Sequence, residues 1–226
     1  MDKRTEALLC LSHIDKDSSP QTVRALAAQA LRIDEDCAEA LIILSRTASQ
    51  PEQERLLTEE RKKREERIKA GKENDPAALG KVLQELSAVY QQRGAYRRAE
   101  EALQKLLLLD PADKKKVHQR LLSLYAQRED EEALAGLVSA YPAEDARALL
   151  PTAVLAYKKG RYTTLQKILS SLKKSDPQLI SLLLGREEIG DDLQRQEARD
   201  ILRGNKALLD SAPGFIPYVK QQEDLL

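Results

Sequence analysis

Leu79, Val82, Leu83, Leu86, Val89 and Tyr90 recur at three- and four-residue steps, so this stretch predicts a helix with one apolar face. The pattern breaks at "QQRGAY", where Gly94 supplies the backbone freedom a helix stop needs. It resumes over Tyr96 to Leu109 with Ala99, Ala102, Leu103 and Leu106 on the inward side. The two alanines let paired helices approach closely. Asp110-Pro111 then ends the hydrogen-bond ladder. Neither helix can bury its apolar face alone, so the pair must pack on itself and on neighbours.

The same punctuation returns 66 residues later, at Gly160, Tyr162 and Asp176-Pro177. Between the two, "HQRLLSLYAQREDEEALAGLVSAYP" places Tyr125 and Pro142 about halfway with a shortened turn. Toward the N-terminus, residues 2 to 14 read as a first helix. Ser19-Pro20 reads as a capping hydroxyl followed by a first-turn proline, opening "RALAAQALRIDED". "CAEALIILSRTA" begins another unit, whose partner helix runs from about Pro51 to Ala70 and stops at Gly71. The expected fold is all-α: a right-handed α-solenoid of about five stacked helix pairs over residues 1–177. Residues 178–226 lose the Gly-Tyr-Pro punctuation and read as a C-terminal helical cap, because terminal repeats need a polar outer face.

These units resemble the tetratricopeptide repeat, with Gly80 to Asp113 fitting one 34-residue period. Leu83, Leu86, Ser87 and Tyr90 fall at first-helix signature positions, and Ala99, Leu103 and Pro111 at second-helix and terminal ones. Leu83 replaces the usual Trp, Ser87 the Gly and Leu103 the Phe, which keeps an apolar helix pair and weakens the match. "ALRIDEDCAEALIILS", "AGKE" and "LLLLDPADKKKVHQRLLSLYAQRED" also resemble bacterial relatives of the suppression-of-tumorigenicity 7 family, over roughly residues 22–184. That resemblance implies a tetratricopeptide-like fold and brings no catalytic residues. It departs from the membrane-spanning look of the animal members, and residues 71–80 are shortened.

Composition narrows the function. The apolar residues, 42% of the chain, are mostly Leu and Ala, aromatics are 4%, and Trp is absent. That is a helix-former's composition. Lys and Arg (37) balance Asp and Glu (37), so no global field steers the chain to nucleic acid or anionic lipid. The start, "MDKRTEALLCLSHID", lacks the apolar region of a secretory signal, and no apolar run is long enough to span a membrane. Cys10 and Cys37 lack metal-ligand spacing and read as small buried hydrophobes in a reducing cytoplasm.

The segment "TEERKKREERIK", 58 to 69, holds six basic and four acidic residues. As a helix it sets Glu59 against Lys63, Glu60 against Arg64 and Glu65 against Lys69, which reads as a solvated, self-paired surface. His118 falls on an apolar helix position and reads as a core histidine; His13 is the other imidazole. No nucleotide, zinc-protease or nucleophile motif occurs, so no enzyme activity, metal or cofactor is expected.

A binding role is what the pattern leaves. First helices of stacked units would line a concave wall of Lys81, Gln84 and Gln91 in one unit and Lys116, Gln119, Arg120 and Gln127 in the next. Such a wall suits a protein or peptide partner carrying acidic residues. Ala88 and Ser123 stand where the carboxylate clamp of some tetratricopeptide proteins has Asn, so that specific function is not expected. The alternative is a self-associating structural protein that uses terminal apolar surface such as "GFIPYV" at 214 to 219.

Overall fold

The computed structural model describes residues 2–72, 76–109, 114–139, 145–186 and 190–222; among them there are fourteen helices and no strand. The chain divides into two compact units, Met1–Asp113 and Lys114–Leu226. The expected boundary at 177/178 therefore falls inside the second unit.

The first unit holds α1 (Lys3–Leu11), α2 (Pro20–Ile33), α3 (Ala38–Arg46), α4 (Gln50–Lys69), α5 (Ala77–Gln92) and α6 (Tyr96–Leu109). Each helix packs on the next, and α3 also packs on α1 and on α5. Ser19 caps α2 as its position implies, its hydroxyl accepting the Thr22 N–H at 3.1 Å with Pro20 in the first turn. Cys10 and Cys37 are buried free thiols in one small core with Ala7, Ala30 and Ala40. Burial pushes the Cys37 thiol up, so it stays protonated and unreactive at neutral pH.

The turn between α5 and α6 shows why the repeat carries glycine. Gly94 has φ +71°, and the Ala95 N–H reaches back to the Tyr90 carbonyl at 2.8 Å, closing a Schellman-type stop. Gly160 repeats it at φ +67°, with Arg161 donating to Ala156 at 2.9 Å. In the intermediate unit Glu129 takes the same role at φ +60°, and Asp130 donates to Tyr125 at 2.9 Å. The prolines expected to end repeats at 111 and 142 lie outside the described residues.

The second unit holds α7 (Lys114–Arg128), α8 (Glu131–Val138), α9 (Ala146–Lys158), α10 (Tyr162–Ser175), α11 (Pro177–Leu184), α12 (Asp192–Gly204), α13 (Lys206–Asp210) and α14 (Phe215–Gln221). Helices α7 to α10 pack as two pairs, with α7 also against α9, and α11 continues on α10. The chain then turns back: α12 and α13 pack on α7, and α13 packs on α9 as well. Ala198, Ile201 and Leu208 supply the buried apolar side of that return. Within residues 178–226, expected as a helical cap, α12 and α13 thus lie on an earlier helix of their own unit. Helix α14 packs on α11, and its Phe215 lies against Tyr157 at 5.8 Å between ring centroids.

Candidate binding surfaces

The charged stretch 58–69 docks rather than floats. Helix α4 buries Leu57, Glu60 and Arg64. Arg64 Nε donates to Glu60 at 2.6 Å, and Arg64 also donates to the Asp36 carbonyl at 2.5 Å. Lys63 and Arg67 reach the Asp36 carboxylate at 2.7 and 2.6 Å, tying α4 to the turn before α3. Of the three ladder pairs expected from spacing, Glu60–Arg64 forms. Glu59 is taken by Arg55 at 2.8 Å, and Glu65 by Lys105 at 2.9 Å. With no apolar residue between Thr58 and Arg67, ion pairs position the helix where a leucine stripe otherwise would. The Lys63 hydrogen bond, aided by Arg67 and opposed by burial, holds the Asp36 carboxyl below its ordinary value.

The odd-numbered helices α1, α3 and α5 are linked by a second set of pairs. Glu39 on α3 accepts from Arg4 of α1 at 2.5 Å and from Lys81 of α5 at 2.5 Å. Arg46 of α3 grips Glu85 of α5 through two bonds, at 2.8 and 2.7 Å. In each pair the cation is the outer partner. The Lys81 side chain is 51% exposed against 23% for Glu39, and Arg46 60% against 16% for Glu85. Burial pushes the Glu39 carboxyl up, but the Lys81 hydrogen bond and the Arg4 charge outweigh it and hold it low. The face presents positive tips over sunken carboxylates, although the formal count is balanced.

Lys81 and Gln84 are exposed on this face, and Gln91 is half-buried. The second unit's predicted positions fare differently. Lys116 lies on α7, but its side chain is outside the described residues. Gln119 is half-buried, and its Nε2 comes so near Gly204 that a Cβ there would sit 3.0 Å away. Gln127 donates to the Ala207 carbonyl at 3.4 Å, and its own carbonyl accepts from Lys158 at 2.8 Å. Arg120 is half-buried, and Ser123 is almost fully enclosed. The described positions of the wall expected on α7 are thus half-buried, with Gln119 beside Gly204 of α12 and Gln127 bonded to Ala207 of α13. Nothing in local periodicity signalled this, because the covering residues lie about eighty positions later, as with Gln127 and Ala207.

The other candidates sort quickly. Phe215 and Val219 of "GFIPYV" are fully buried, while Ile216 is half-buried, so two of that surface's three apolar anchors face the core. His118 is buried on α7 as expected, and His13 is exposed. Among the described residues no three His, Cys, Asp or Glu side chains are grouped to hold a metal ion, and no helix is long and apolar enough to cross a membrane. A concavity of about 410 Å³ between α8, α9 and α10 is walled by Leu134, Val138, Leu155 and Ile168.

No protein-family model matches this chain, and no curated protein matches it. The tetratricopeptide and suppression-of-tumorigenicity 7 resemblances rest on the residues quoted for them.

Proposed function

We propose that the chain is a non-catalytic helical-repeat adaptor of tetratricopeptide type, acting in the cytoplasm and holding an acidic peptide or helix on the α1–α3–α5 face. The supporting observation is the Arg4–Glu39–Lys81 ladder, with Arg46–Glu85 beside it, in which every cation is the exposed member. Charged donors make stronger hydrogen bonds than neutral ones, so carboxylates of a partner would be preferred there. Gln84 adds a neutral polar group on the same helix as Lys81. Consecutive helix pairs whose first helices touch one another are the arrangement that gives repeat proteins a continuous binding face. In this reading the solenoid contributes its open face from the first unit, while the α7–α9 face serves its own C-terminal helices.

The test is an array of acidic peptides probed with the intact protein, and with a Lys81→Gln, Arg46→Gln double variant. Both cations are largely exposed, so each loss should cost about 1 kcal/mol of stability or less. Selective binding by the intact protein that disappears in the folded variant supports the reading. An intact protein that selects no acidic peptide defeats it, and unchanged binding by the variant moves the site off this face.

A further inference from the structure

A second charged concavity lies on the even-numbered helices of the first unit, between α4 and α6 with Tyr90 of α5 among its walls, and encloses about 340 Å³. Arg61 and Lys62 line it from α4, Arg98 and Lys105 from α6. The local carboxylates are oversubscribed. Glu54 is shared by Arg93 and Arg98, the latter at 3.1 Å. Glu65 is shared by Lys105 at 2.9 Å and Arg61 at 3.9 Å. Glu101 is the third acid here. Five cations meet three carboxylates, which leaves two positive charges in excess.

Three details make this more than a solvated charge cluster. The Arg61 Nε–H is buried and has no acceptor among the described residues, since Glu65 lies beyond hydrogen-bond range at 3.9 Å. The Thr58 and Tyr90 hydroxyls meet only at 3.5 Å, so at least one of them keeps a hydrogen to donate elsewhere. Arg98 is held 5.9 Å above the Tyr90 ring, which orients a guanidinium at the rim without using up its donors. Two excess charges, a buried guanidinium donor and two hydroxyls in one recess match a compact dianion with several acceptor oxygens.

We propose that this groove binds a phosphoryl group. The ligand carries a tetrahedral dianion, presented either by a phosphorylated peptide side chain or by a small phosphate compound. Its oxygens accept from Arg61, Lys62, Arg98 and Lys105 and from the hydroxyls. The site uses none of the residues of the α1–α3–α5 face and does not depend on that face having a partner.

Isothermal titration of the intact protein at low salt with inorganic pyrophosphate, a phosphoserine peptide and the same peptide unphosphorylated tests the proposal. Either phosphorylated probe should bind, the unphosphorylated peptide at least tenfold more weakly, and affinity should fall as salt rises. The tighter of the two phosphorylated probes identifies the source. Lys62 is exposed and makes no ion pair among the described residues, so Lys62→Glu should fold normally and lose at least tenfold in affinity. Lys173→Gln, at an exposed lysine of α10 outside both surfaces, should bind as the parent does. Absence of binding by both phosphorylated probes overturns the proposal, as does affinity that Lys62→Glu leaves unchanged or that Lys173→Gln reduces equally.

Discussion

Replacing Arg64 by alanine should cost the protein far more than a surface charge does. Glu60 and Arg64 are each only 5% exposed, and Arg64 serves both the Glu60 carboxylate and the Asp36 carbonyl. At about 4 Å and an effective dielectric near 20, unit charges attract by roughly 4 kcal/mol. Removing one partner loses that attraction and leaves Glu60 buried without its counter-charge, a change that typically costs about 3–5 kcal/mol. A solvated helix pair would be worth only about 0.3–0.5 kcal/mol. The two accounts of α4 thus differ by close to an order of magnitude. Urea unfolding followed by far-ultraviolet circular dichroism measures the difference, and amide exchange over α3 to α5 locates it. A Glu60→Leu, Arg64→Met double variant should recover most of the loss, because an apolar pair of similar volume needs no counter-charge. It should still fall short of the parent by about 1 kcal/mol, since the Asp36 carbonyl loses a charged donor. A single-variant cost below about 1 kcal/mol would refute the docked-helix account and restore the solvated one.

Acid should loosen the first unit through Asp36 and Glu39. Both carboxyls sit below their ordinary values of 3.8 and 4.5, Asp36 facing Lys63 and Arg67, Glu39 facing Arg4 and Lys81. Their contribution is complete above those ordinary values and is lost as pH falls through the lowered ones. Amide protection in α3 and α4 should therefore drop below about pH 4, and an Asp36→Asn, Glu39→Gln variant should show a flatter acid limb; an equal limb would count against it. In the second unit, Gly214→Ala should lower stability by about 1–3 kcal/mol, because the new Cβ would overlap the Tyr157 hydroxyl and lie 3.2 Å from its Cζ. That ring is wedged among Phe215, Tyr162 and Tyr218, so a neutral melting temperature would mean the cluster yields more easily than its packing implies. Leu208→Ala should cost about 2–5 kcal/mol at a fully buried site, with faster amide exchange appearing first in α12 and α13. Faster exchange confined to α10 and α11 would contradict the fold-back described for those helices.

What could be read along the chain was whatever local chemistry decides. Ser19-Pro20 opens a helix because a hydroxyl accepts a first-turn N–H and proline has none to lose there. Gly94 and Gly160 close helices because the left-handed backbone is cheap for glycine. The same rule hid the turn between them. Glu129 takes that conformation with a side chain attached, and its carboxylate lies near Lys158 and Lys159 at 3.4 and 2.9 Å. A search for glycine passes over it. Helix α4 was legible as a helix and misleading as a surface, since its periodic acids and bases fit solvent and a partner equally well. Only the position of Asp36, on another element, decides between them.

The α7 wall makes the same point at longer range. Gln119, Ser123 and Gln127 sit where a first helix would show an open groove, and their polarity agrees with solvent. Yet Asn205, with no exposure at all, and Leu208 bring α12 and α13 onto that helix. The price is visible in the chemistry: the Ser123 hydroxyl, the Gln119 Nε2 and the Asn205 Oδ1 are buried without a hydrogen-bond partner among the described residues. A purely apolar seam between α7 and its covering helices would not carry three such atoms, each worth about 1–3 kcal/mol when left unmet. Gln119→Leu, which removes one of them while keeping the bulk, should therefore hold stability level or raise it by about 1 kcal/mol in urea unfolding. A loss larger than about 1 kcal/mol would show that the Gln119 amide is satisfied in solution, and that the cover over α7 is tighter than its polar contacts indicate.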